Sequence, residues 1–129
     1  MPEDDKGTVG RTTRAAVLGE DHVARAEAAT TDFDADFQRF ITEGAWASVW
    51  SRPGLDKRER SLITVALLAA SGHDEELAMH IKACANTGAT AEDIKEALLH
   101  VAVYAGVPAA NRAFKIAKRV LETGEGPGR

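Results

Sequence analysis

The chain has 129 residues, 44% of them hydrophobic and 28% charged, and a formal net charge of −4. That balance excludes a disordered chain, and the length fits one domain that buries roughly two thirds of the surface its unfolded form exposes. The charge excludes a basic stripe for nucleic acid, and the longest apolar run, Leu62–Ala70, is too short to cross a bilayer.

The opening MPEDDKG is acidic and polar, without the apolar stretch of a signal peptide. Residues 1–10 show no apolar period and are expected to be mobile. Thr12–Leu18 and Glu20–Ala28 read as short alanine-rich helices. From Asp32 the pattern predicts a longer helix, with Phe33, Phe37, Phe40 and Ile41 on one face reaching towards Trp46 and Trp50. Pro53-Gly54 breaks it.

Asp56 opens the next helix, and Glu59 three residues on completes a variant capping box. From Leu62 to Ala70 this helix is apolar on nearly every side, the pattern of a central, covered element. Ser71-Gly72 ends it, and Asp74 is the expected N-cap of a helix that closes at Gly88. Thr90 caps another, with Ile94, Ala97, Leu98 and Val101 as its core face. Gly106 breaks that one, Pro108 suits a first helical turn, and Phe114, Ala117 and Leu121 mark the last face. The tail 122–129 carries three glycines and a proline and is expected to be flexible. No alternating pattern predicts a strand. The class is all-α, a single compact domain of about six helices over residues 11–121. Few aromatics, many alanines and one very apolar helix point to burial against a second copy, hence a homo-oligomer.

The chemistry concentrates in Glu75–Asn111. Leu77, His80, Ile81 and Cys84 fall at i, i+3, i+4 and i+7, so a titratable imidazole sits on a face meant for burial. It is either a satisfied core histidine or a catalytic one. Glu76, one turn before it, can fix its tautomer and favour its charged form; equally, Glu75 and Glu76 suit a helix N-terminus as acids. Glu59 shares a stripe with Leu62, Ile63 and Ala66 and either points inward or simply caps. His73, His22 and His100 gain no role from spacing.

Arg52, Lys57, Arg58 and Arg60 cluster at a helix start in an acidic chain, where a small carboxylated ligand would be met. Trp46, Trp50 and Tyr104 are candidates for a pocket wall, or plain core. No C-x-x-C, glycine-rich phosphate loop or metal-ligand spacing occurs, so an enzyme of this sequence is expected to need no cofactor and no metal. The single cysteine permits no internal disulfide and fits a reducing, cytoplasmic setting.

HIKACANTGATAEDIKEALLHVAVYAGVPAANRAFKIA, with WSRPGLDKRERSLITVALLAA before it and VLGEDHVARA near the start, resembles the carboxymuconolactone decarboxylase family from Val17 to Leu121. The resemblance implies the helical fold shared with alkyl-hydroperoxidase-D-like proteins. Their site is a glutamate followed by C-x-x-C-x-x-x-H. Counted back from Gly88, His80 takes the place of that histidine, His73 and Glu76 stand where the two cysteines would be, and Glu59 lies near the upstream glutamate. Without both thiols, peroxidase chemistry is out of reach.

The implied reaction is cofactor-free decarboxylation of γ-carboxymuconolactone to β-ketoadipate enol-lactone in protocatechuate breakdown, by oligomers that are commonly hexamers. On that reading His80, Glu76 and Glu59 are the catalytic candidates, with Arg58 or Arg60 holding the small anionic lactone. A non-catalytic scaffold of the same fold, or an enzyme acting on a related lactone, are the alternatives.

Overall fold

The structure, a computed structural model, describes residues 5–128. All regular elements among them are helical. The chain divides into two compact units that part between Leu55 and Asp56.

In the first unit, α1 (Lys6–Leu18), α2 (Glu20–Ala29) and α3 (Ala35–Ile41) lead into a π-helical segment, Thr42–Trp50. The Asp5 carboxylate accepts the Thr8 backbone N–H at 2.7 Å and caps α1. Residues 6–10, expected to be mobile, are therefore helical; residues 1–4 lie outside the described residues. Gly10 is buried where α1 meets the π segment, and a Cβ there would stand 2.1 Å from the Thr42 carbonyl oxygen. Backbone cannot swing aside as a flexible side chain would. Gly10→Ala is expected to destabilise the protein by about 1–3 kcal/mol, read as a lower midpoint in urea.

The long helix predicted from Asp32 begins only at Ala35. Before it, Asp34 folds back to accept the Thr31 N–H at 2.8 Å and holds a turn. Phe33, Phe37 and Phe40 do not face a core in this chain: they are 99%, 58% and 71% exposed. Their periodicity is right and their partner is missing, for α3 buries no residue of its own. The π segment buries Trp46 and Trp50, whose rings lie 5.1 Å apart at 30°. Its wider turn shows in Ser48 Oγ donating to the carbonyl of Glu43, five residues back, at 2.8 Å.

The second unit is built from α4 (Lys57–Ser71), α5 (Asp74–Thr87), α6 (Ala91–Tyr104) and α7 (Val107–Glu122) around Val65, Leu77, Ile81, Ile94, Leu98 and Ala113. Both arms of the Asp56/Glu59 capping box form. The α5 helix includes Asp74 as its first residue rather than as its cap, and that carboxylate is held by the Arg112 guanidinium. Gly88 closes α5 at φ 89°, a left-handed conformation that favours glycine. Thr90 and Asp93 cap α6 reciprocally, and Pro108 lies in the first turn of α7.

The covering expected around α4 is incomplete in one chain. Its Ser61, Val65 and Ala69 stripe is buried, whereas Ile63 and Leu67 stay 48% and 62% exposed. After Glu122 the tail turns back on α5, with Glu125 paired to Lys82 at 2.9 Å and Gly126 close to the Ile81 carbonyl; Arg129 lies outside the described residues. No helix among the described residues is long and apolar enough to cross a membrane.

Candidate active site

The second unit presents a polar seam inside an otherwise apolar helix pair. On α5, Glu76, His80, Ala83 and Thr87 recur at intervals of four, three and four, so they form one stripe. Glu76 is exposed at its solvent end, and one turn on His80 is only 7% exposed. At the far end the Thr87 hydroxyl meets the Ser61 hydroxyl of α4 at 2.7 Å. Ser61 is fully buried. The seam continues through Cys84, whose thiol donates to the His80 carbonyl at 3.3 Å and receives a hydrogen bond from Ser61.

Cys84 itself is no nucleophile. Burial pushes its thiol up to about 11, against a smaller opposite effect of the Ser61 hydroxyl. At neutral pH it stays protonated and behaves as a small apolar side chain.

The other predicted residues are placed as follows. Glu59 is exposed, and its carboxylate accepts the Asp56 backbone N–H at 3.1 Å, so it is engaged as a cap rather than turned to the core. Arg58 is committed elsewhere: Nε and Nη2 donate to the two Asp93 oxygens at 2.8 and 2.7 Å. That guanidinium, with the Thr90 backbone N–H behind it, holds the Asp93 carboxyl well below the usual carboxylate range, and Asp93 in turn raises Arg58. Arg60 is half-buried beside Ser61.

Tyr104 is 85% exposed and stacks on His100 with ring centroids 6.3 Å apart. Trp46 and Trp50 are buried within the first unit. Among the described residues no three histidine, cysteine, aspartate or glutamate side chains gather in a metal-holding group.

Three participants are absent from the sequence reading: Ser61, Asp93 and Thr87, the last seven residues after His80 on the same stripe. Ser61 was discoverable from its spacing, since 61, 65 and 69 share the buried stripe of α4. Asp93 as the partner of Arg58 was not, because 35 residues separate the two and nothing local signals their meeting.

A polar stripe with a nearly buried histidine, beside an arginine-bearing helix start, suits proton transfer to a small anion. The model of the carboxymuconolactone decarboxylase family matches residues 35–119, about two thirds of the chain. The chain belongs to the carboxymuconolactone decarboxylase family. Among relatives of this decarboxylase family, it is 46% identical to 4-carboxymuconolactone decarboxylase of Acinetobacter baylyi, over 95% of this chain and 91% of that one. It is 39% identical to nitrosuccinic acid decarboxylase of Metarhizium robertsii, over 87% of this chain and 78% of that one. An uncharacterised 15.0 kDa protein of Paracoccus denitrificans is 29% identical over 58% of each chain.

Proposed function

We propose that this member of the family is a cytoplasmic 4-carboxymuconolactone decarboxylase, a carboxy-lyase that releases carbon dioxide from the lactone and returns one proton to carbon. The observation that carries the reading is the 46% identity along nearly the full length of both chains. The His80 stripe supplies a group suited to the step.

In the substrate the leaving carboxylate is vinylogous to the lactone carbonyl. The C–CO₂ bond breaks, and its electron pair moves through the ring double bond to the carbonyl oxygen, giving a dienolate with 2-oxyfuran character. A proton then joins the α carbon and leaves the enol-lactone. The protein must supply donors at the lactone oxygen, each worth about 2.7–4 kcal/mol when preorganised, and a proton aimed at one carbon. His80 delivers that proton, and Glu76, one turn before it, fixes the tautomer; Glu59, occupied as a cap, is the reserve.

The retained carboxymethyl group needs a cation that does not stabilise the departing charge. Arg58, two of whose three nitrogens already donate to Asp93, or Arg60 supplies it. Arg60→Gln is expected to raise KM more than it lowers kcat, measured from initial rates over a range of lactone concentrations. An unchanged KM would assign the anchor elsewhere.

The deciding assay is ultraviolet monitoring of freshly generated lactone with the purified protein, read beside carbon dioxide release. Absence of both rejects the proposal. The second relative supports a broader substrate class. Nitrosuccinate, like the lactone, contains a succinate unit whose α carbon bears an electron sink, a nitro group in place of the unsaturated lactone. The same assay run on nitrosuccinate separates a strict lactone enzyme from one that reads the succinate unit. Assembly into a homo-oligomer, a hexamer on the resemblance, is part of the same proposal, supported by the apolar side chains that one chain leaves uncovered.

A further inference from the structure

We propose that Ser61 and Thr87 are a positioning pair that decides which carbon of the dienolate receives the proton from His80. The inference rests on the decarboxylase reading and adds two residues that do not belong to the acid–base set.

Thr87 occupies the same α5 stripe as His80, seven residues, or about two turns, further on. The hydroxyl–hydroxyl contact at 2.7 Å therefore holds, against α4, the very face that carries the imidazole. Ser61 is fully buried, so its hydroxyl is desolvated and depends on its partners in the seam. Its further contact with Cys84, and the Cys84 thiol donating to the His80 carbonyl, tie the same hydroxyl to the backbone of the histidine. A helix pair joined by apolar side chains alone can slide or roll by a fraction of a turn at low cost. A directional hydroxyl pair admits one register.

Register matters here because the dienolate has two nucleophilic carbons. Protonation at the α carbon moves the double bond to the β,γ position and yields the enol-lactone. Protonation at the γ carbon, where carbon dioxide left, restores the α,β-unsaturated lactone. Both routes consume one proton and give products of the same composition. Only the placement of the acid separates them, and a shift near 1 Å in a reacting group can cost on the order of a hundredfold in rate.

Three variants test the pair. Thr87→Val keeps shape and removes the hydroxyl, Thr87→Ser keeps the hydroxyl, and Ser61→Ala removes the other half. Each is assayed for kcat, KM and, by proton NMR of the products in D₂O, the ratio of α- to γ-protonated isomers. Thr87→Val and Ser61→Ala are expected to lower kcat by on the order of tenfold to a hundredfold, with KM little changed and the γ-protonated isomer increased. Thr87→Ser should retain the wild-type ratio. A folded Thr87→Val enzyme with the wild-type isomer ratio overturns the proposal, whether or not its melting temperature falls, because a purely structural pair would leave the ratio alone. A wild-type protein inert towards the lactone rejects the decarboxylase reading first, and this inference with it.

Discussion

His80→Gln is expected to lower kcat for lactone decarboxylation by on the order of 10²–10⁴, the usual contribution of a positioned general acid. Glutamine approximates the size and hydrogen-bonding capacity of the imidazole but has no proton to give near neutral pH. The site should therefore still bind substrate, and KM should move far less than kcat. At 7% exposure His80 leaves the protein only an edge through which to act, and bulk water cannot readily replace the missing donor. Helical circular dichroism and the elution volume of the variant, both unchanged, would show that the loss is chemical. Near-normal turnover by a folded His80→Gln enzyme would return the histidine to the class of satisfied core residues and bring Glu59 forward.

Loss of activity on dilution is the second large effect expected. In the second unit Leu99 and Val103 lie one turn apart on α6 and are 48% and 74% exposed, and Ile63 and Leu67 of α4 repeat the pattern. In the first unit the Phe33, Phe37 and Phe40 stripe is bare. Soluble monomers seldom leave such stripes to water, and obligate assemblies bury them. Val103→Asp places a charge on the exposed α6 stripe and should dissociate the assembly at concentrations where the parent stays associated. Light scattering at several concentrations, read beside specific activity, measures both consequences. A fully active monomer refutes the dependence of the site on assembly.

How much the sequence discloses varies with the range of the interaction that fixes each feature. The helices of the second unit are legible because their signals are local: Asp56 with Glu59, Thr90 with Asp93, Gly88 and Gly106 each announce an end within four residues. The π segment is illegible because no sequence period distinguishes its wider turns from an α-helix. The exposed phenylalanines show the limit of periodicity, which identifies a face that needs burial without saying whether the same chain supplies the cover. His80 on a buried stripe is legible from spacing, and so is the capping reading of Glu59. The capture of Arg58 by Asp93, and of Asp74 by Arg112, depends on tertiary approach across 35 and 38 residues and leaves no local trace. The first of these captures makes one member of the apparent cation cluster at the start of α4 a structural tie.

The placement of the aromatic residues gives the protein built-in optical reporters. Both tryptophans, Trp46 and Trp50, belong to the first unit, and the sole tyrosine, Tyr104, belongs to the second. Emission excited at the red edge of the indole band thus follows residues 1–55 alone, while far-ultraviolet dichroism averages over every helix. Two melting curves recorded on one sample therefore reveal whether the halves lose structure together: coincident midpoints signify a single cooperative transition, and separated midpoints two. No label or substitution is required.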